Sequence, residues 1–227
     1  MTAAEFARTG RLTLTLAKVL TMPAKDIRYT LPTITDAIPG IAPGTSRANK
    51  RVLTIHEDDW RQIELISASY AAAIREQFEG IGRIFDTSYN GFGFTDIYVR
   101  SLIEPPILSS LSQHDIEMAL PTPFETLDGI AYEQSDGLIA GGFAYTIGAV
   151  ALFGVQVDGR VEALCLHPTR TQDAPTPQEG TLAEALAQLM APRDLLLVDW
   201  FRMAQVSADV GDIANYLALF IFPQEKG

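Results

Sequence analysis

Apolar residues recur at helical spacing most clearly between residues 70 and 85, where Tyr70, Ile74, Phe78, Ile81 and Phe85 fall on one face. The pattern predicts a helix, with Ser67 or Ser69 as its N-cap, because a serine hydroxyl satisfies an orphan amide of the first turn. Residues 52–66 just before it are rich in β-branched and large apolar side chains, and Arg61, Ile63 and Leu65 alternate with Gln62, Glu64 and Ile66. That alternation predicts a strand, bent around His56–Asp59.

Downstream, Tyr89-Asn90-Gly91-Phe92-Gly93 has turn chemistry and predicts a strand through Ile97 and Val99, ended by Pro105-Pro106. A short helix is expected around Ser112–Leu120, closed by Pro121. Between Gly129 and Leu166 the turn signals Ser135-Asp136-Gly137 and Asp158-Gly159 predict an antiparallel meander, since Asp-Gly suits a type I′ hairpin. After the polar loop 169–180, Thr181 and Glu184 match a capping box, and Leu182, Leu186 and Leu189 supply a stripe. Leu195–Val206 reads as one long buried strand. Ile213, Tyr216, Leu217 and Phe220 read as the inner face of a last helix opened by Ser207 or Asp209.

The N-terminal part reads differently. Residues 3–20 place Phe6, Leu12, Leu16, Val19 and Leu20 on a helical face, but Gly10 and the run Leu12-Thr13-Leu14-Thr15-Leu16 carry a strand signal. Prolines 23, 32, 39 and 43 then remove backbone donors, and residues 23–47 are expected to cross the body as an irregular wrap. The resulting fold class is α+β: a largely antiparallel or mixed sheet with helices packed on it, divided into an arm (1–51) wrapping a single domain (52–227).

One run competes with the meander. Gly137–Val157 carries no charge over 21 residues, long enough to span a bilayer, and Gly137 and Gly141 have GxxxG spacing. Asp136 and Asp158 flank it where a spanning helix favours Lys or Arg, so buried strands are the preferred reading and no membrane partner is expected.

Charge sharpens the division. Residues 1–51 hold eight Lys/Arg against three Asp/Glu, a balance of +5, while the remainder stands at −16. A net charge of −11 opposes binding to nucleic acid or anionic membrane. Two readings follow: the arm packs on its own acidic body, or the body attracts a basic partner and the arm something anionic. Cys165 is the single cysteine, and the apolar stretch Leu12–Leu20 is broken by Lys18, so a reducing, cytoplasmic compartment without a secretory leader is expected.

The chain also echoes itself. Asp59-Trp60-Arg61-Gln62-Ile63-Glu64-Leu65-Ile66-Ser67 and Asp199-Trp200-Phe201-Arg202-Met203-Ala204-Gln205-Val206-Ser207 share Asp, Trp and a closing Ser, and these are the two tryptophans of the protein. Each reads as a strand running into a serine at the mouth of a helix. If the two lie side by side, Trp60, Arg61, Glu64, Trp200 and Arg202 form a candidate binding platform. In the plainer reading the indoles fill the core and the serines cap helices.

Signatures of known chemistry are missing. HExxH, GxSxG, GxGxxG and Walker patterns do not occur, so no cofactor is expected. His56-Glu57-Asp58-Asp59 and His114-Asp115 with Glu117 are acidic clusters that supply too few convergent ligands for a metal, and Cys165 with His167 is half a zinc site. The expected function is a non-catalytic, inhibitor- or immunity-like binding protein for a basic protein partner. The alternative is a ligand-binding protein or enzyme with a carboxylate and histidine pocket built from the His56–Asp59 turn, Glu64 and His114 or His167. Self-association as a homo-oligomer is a third reading.

Overall fold

A computed structural model describes residues 28–101, 108–169 and 179–221. The proposed helix over 3–20 lies outside them. The fold is α+β. Its strands are β1 (Thr33–Thr35), β2 (Leu53–Ile55), β3 (Ile63–Ser67), β4 (Tyr98–Arg100), β5 (Glu125–Leu127), β6 (Ile130–Tyr132), β7 (Gly142–Ile147), β8 (Val150–Val157), β9 (Arg160–Pro168), β10 (Leu195–Asp199) and β11 (Ala204–Val206). Its helices are α1 (Ala71–Ser88), α2 (Gln113–Ala119), α3 (Glu179–Met190) and α4 (Val210–Tyr216).

Seven strands form one antiparallel sheet in the order β11-β10-β3-β9-β8-β7-β5. The uncharged run 137–157 becomes β7 and β8, paired from Gly142–Val155 to Ile147–Val150. No helix among the described residues is long and apolar enough to cross a membrane. At the β8–β9 hairpin Asp158 and Gly159 both take positive φ, 51° and 76°, as a type I′ turn requires.

Period-2 alternation gives the sheet two apolar faces. One carries Ile63, Leu65, Leu152, Leu164 and Leu197 against α3 and α4, where Leu182, Leu186 and Ile213 are fully buried. Each such side chain contributes about 2 kcal/mol relative to exposure. The other face is covered in two halves. α1 lays Ile74 and Ile81 on Ile66, Val198 and Trp200, while β2 and β6 lay Leu53, Ile55 and Ile130 on Ala151, Phe153 and Cys165.

Several boundaries differ from the sequence reading. Residues 52–66 form two strands in separate sheets rather than one bent strand, because a 3-10 turn at Glu57–Asp59 and a left-handed Arg61 (φ 56°) redirect the chain. Residues 195–206 fold back as the β10–β11 hairpin, since Met203 is also left-handed (φ 53°) and the Asp199 carboxylate accepts the Arg202 amide at 2.9 Å. α3 begins at Glu179, before the Thr181 expected to cap it. The cap of α4 is Asp209, which accepts from Gly211 and Asp212. Ser67 caps the 3-10 turn Ala68–Tyr70 that leads into α1, and Ser112 with Asp115 forms a complete capping box on α2.

The arm, from residue 28 on, lies against the body. β1 pairs in parallel with β4, Tyr29 bridges Phe94, and Ile41 bridges Ile139. Within the stretch expected to be irregular, β1 is thus a regular element. Arg47 ion-pairs with Asp136 at 4.0 Å and Arg51 pairs with Glu125. Along these residues the arm's positive charge is matched by the acidic body.

Candidate functional site

The two Asp-Trp segments are adjacent. β3 and β10 are antiparallel neighbours, Asp199 pairs with Ile63, and the Trp200 amide donates to the Gln62 carbonyl at 3.0 Å. They form no exposed platform, however: Trp60 and Trp200 are each 1% exposed, Arg61 5% and Glu64 3%. The expectation of a solvent-facing recognition surface at Trp60, Arg61, Glu64 and Trp200 is corrected by this burial. The cause is register: Glu64 stands between Cys165 and Val198 on the covered face of the sheet.

What the segments build instead is a sealed charged seam between the two apolar halves of that face. Glu64 accepts from Arg61 Nε at 2.5 Å and from Trp200 Nε1 at 2.7 Å. Arg100, on β4, donates to the Arg61 carbonyl at 3.0 Å and to Gln62 Oε1 at 3.3 Å, with its guanidinium 4.8 Å from the Trp200 ring centre. Gln62 Nε2 donates to the carbonyls of Thr33 and Asp58, at 2.8 and 2.6 Å. Five polar side chains therefore tie the arm, the 3-10 turn and the main sheet at one point.

Burial sets the electrostatics of the seam. It lowers the Arg100 pKa to about 10, with Glu64 opposing the shift. Burial also works against the Arg61 guanidinium, but the charge and hydrogen bond of Glu64 more than offset it, and its pKa is raised. The Cys165 thiol is pushed well above its ordinary value, first by burial and then by Glu64. Cys165 is fully buried, so its thiol is closed to electrophiles in the folded protein. His167, two residues on, packs edge-on to Phe153 with ring centres 6.4 Å apart.

Asp199 has its own set of partners at the end of β10. It is fully buried and accepts from Arg202 NH1 at 2.8 Å and Tyr216 OH at 2.7 Å, which joins the hairpin to α4. Burial, followed by the charge of Asp199, pushes the Tyr216 pKa far above its ordinary range. Arg202 is one-third exposed and is the platform candidate that reaches solvent.

A second site lies at the surface. His56, Glu57, Tyr132, Glu133 and Gln134 line a recess of about 60 Å³, small beside the roughly 300 Å³ at which pockets begin to hold drug-sized ligands. The parallel β2–β6 pairing creates it by placing Ile55 opposite Tyr132, and the Glu133 amide donates to the Ile55 carbonyl at 3.0 Å. Tyr132 closes the floor: it is 4% exposed and its hydroxyl donates to the Pro39 carbonyl at 3.1 Å. Burial, then Glu57, pushes its pKa up beyond the ordinary phenol range. Glu57 and Glu133 are exposed at the rim, and His56 accepts the Asp58 amide through Nδ1.

Of the residues proposed for a carboxylate and histidine pocket, His56 and Glu57 meet here, while Glu64, His114 and His167 do not line the recess. Among the described residues no three His, Cys, Asp or Glu side chains converge as a metal cage requires. Sequence reasoning missed Arg100, Gln62, Tyr132 and Glu133. The signal for Arg100 was its place in an alternating strand, two residues after Tyr98 on the inward side. β2–β6 pairing joins residues far apart in the chain and left no comparable signal. Comparison of the chain with protein-family models, curated proteins and solved structures finds no match.

Proposed function

We propose that the protein is a non-catalytic acidic binding protein that engages a basic protein partner, with the Glu57–Glu133 recess as an anchor for a cationic side chain. One observation carries this reading: of the described carboxylates after residue 51, Glu64 and Asp199 are the ones the fold buries, and the rest stay outside the buried interior. Among the described residues after 51, Arg61 and Arg100 are buried, as are Glu64 and Asp199, out of only seven arginines but far more acids. The buried charges, two positive and two negative, cancel, so the surface keeps the net negative charge of the sequence. Such a surface steers a basic partner and raises its association rate.

The test uses the full chain as bait beside a Glu57→Lys/Glu133→Lys variant, with captured proteins identified by mass spectrometry. Both positions are exposed, so the variant keeps the fold. The expected result is a strongly basic protein held by the natural chain, released as salt screens the contact, and lost by the variant. Equal capture by both baits, or no basic protein on either, overturns the reading.

A further inference from the structure

Three of the four Lys and Arg residues in the described part of the arm fall within one short stretch, Arg47-Ala48-Asn49-Lys50-Arg51. Asn49 takes a left-handed φ of 59° and the Lys50 amide donates to the Arg47 carbonyl at 3.1 Å, so the stretch is a turn that keeps its cations together. It lies along a row of acids that runs from β5 to the loop after β6: Glu125, Asp128, Glu133 and Asp136, all exposed. Arg51 pairs with Glu125 and its amide donates to Asp128 Oδ2 at 2.7 Å, while Arg47 stands 4.0 Å from Asp136.

Arg47 reaches the recess itself. Its two terminal nitrogens donate to the carbonyls of Tyr132 and Glu133, at 3.5 and 3.4 Å, and both of those residues line the recess. The chain therefore lays a guanidinium of its own against the wall that carries Glu133. These contacts are long or open to water: the Arg51 and Glu125 side chains are more than half exposed, and that of Asp136 fully. Ion pairs so placed are weak, are screened by salt and exchange readily for others. Because they are intramolecular, they also form at a high effective concentration and persist on dilution. A contact that is always present and easily displaced has the properties of a built-in competitor.

We propose that the 47–51 turn is an autoinhibitory contact, an internal cation on the acidic face that a basic partner engages, and that the partner binds by displacing the Arg47 and Arg51 guanidiniums. This inference rests on the binding function proposed above and adds its regulation. Each carboxylate that loses an arginine of the arm gains a cation of the partner, so charge pairing is conserved in the exchange. The apparent affinity is lowered by the fraction of molecules in which the turn is displaced and the face is free. A lone cation replaces one of the two arginines and leaves the other in place, so the contact favours a polycationic segment over a singly charged ligand.

The test titrates the full chain into a fluorescein-labelled oligolysine peptide at low salt and follows anisotropy. Arg47→Gln/Arg51→Gln is compared with Arg75→Gln/Arg83→Gln, which makes the same change in net charge at two exposed arginines of α1, on the other half of the sheet face. Arg51→Gln alone is included because its partners Glu125 and Thr126 lie outside the recess lining, so a recess wall loosened by loss of Arg47 does not obscure the result. The expected result is several-fold tighter binding by Arg47→Gln/Arg51→Gln, a smaller gain for Arg51→Gln, little change for the α1 variant, and gains that shrink as salt is raised. Equal tightening by the two double variants assigns the effect to net charge and overturns the proposal. Unchanged or weaker binding by both Arg47→Gln/Arg51→Gln and Arg51→Gln overturns it too. In either case, loss of binding in Glu57→Gln/Glu133→Gln leaves the proposed function standing. Peptide binding that is absent, or indifferent to Glu57 and Glu133, overturns that function and this regulation together.

Discussion

Asp59-Trp60 and Asp199-Trp200 begin segments that share Asp, Trp and a closing Ser, yet they end in different environments. Trp60 precedes its strand and packs edge-on to Phe153, ring centres 5.6 Å apart, among aliphatic side chains of β2, β6 and β8. Trp200 follows its strand, meets Phe78 of α1 at 5.4 Å, donates to Glu64 and carries Arg100 on its face. Asp59 lies half-exposed in a 3-10 turn, whereas Asp199 is fully buried with three donors. Position relative to the strand, not residue type, decides which copy becomes part of a polar interior. The same letters fill a hydrocarbon pocket in one place and complete a charged seam in the other.

The largest expected effect comes from removing the carboxylate on which the seam depends. Glu64→Gln leaves Arg61 and Arg100 buried without a counter-charge, and breaking a buried pair in this way costs about 3–5 kcal/mol. Urea unfolding at neutral pH measures it, and alkylation of Cys165, closed in the native protein beside Glu64, provides a second readout. A loss below about 1 kcal/mol would mean that the seam behaves like a surface ion pair, and the contrast between the two segments would collapse.

The tryptophans separate next. Trp60→Phe removes packing area, while Trp200→Phe also strands Glu64 Oε1 and takes the indole from beneath Arg100. Trp200→Phe is expected to cost about 1–3 kcal/mol more than Trp60→Phe, the range for a buried acceptor left unsatisfied. Equal losses in paired chemical-denaturation curves would show that the hydrogen bond to Glu64 adds nothing beyond burial.

Much of this architecture was legible in the sequence, for reasons visible in particular residues. The Tyr70–Phe85 stripe, the Ser112–Asp115 box and the Asp158-Gly159 hairpin each rest on neighbours within a few residues, and the fold keeps all three. The breaks inside residues 52–66 and 195–206 were not legible. They depend on Arg61 and Met203 taking positive φ, which nothing in their side chains favours and which tertiary contacts impose. The adjacency of the two segments could be asked from their likeness, but burial of both indoles depends on α1 on one half of the sheet and β2–β6 on the other. The recess at Glu57 and Glu133 needs a parallel pairing between strands about 75 residues apart, which local periodicity does not encode.

The aspartates give the third contrast. Asp199→Asn replaces a buried carboxylate that accepts from Arg202 and Tyr216, and loss of charge-assisted bonds of this kind costs about 1.5–3 kcal/mol. Asp59→Asn, in the half-exposed turn, should stay within about 0.5 kcal/mol of the natural protein. Thermal melts of the two variants decide the point, and a larger loss for Asp59→Asn would reverse the assignment of interior and surface copies.

The closing serines carry the smallest difference. Ser67 is 2% exposed, accepts the Ser69 amide at 3.2 Å and meets the Ser69 hydroxyl at 2.8 Å, so it holds the turn from β3 into α1. Ser207 is exposed, donates to Asp212 at 2.7 Å, and leaves the capping of α4 to Asp209 two residues later. Ser67→Ala should therefore cost about 1 kcal/mol, the usual loss for a capping serine, and Ser207→Ala no more than a few tenths. Denaturation midpoints resolve the two when the slopes agree. Near-equal costs would mean that the likeness of the segments extends to the role of their serines, and that position relative to the strand governs only the indoles and the carboxylates.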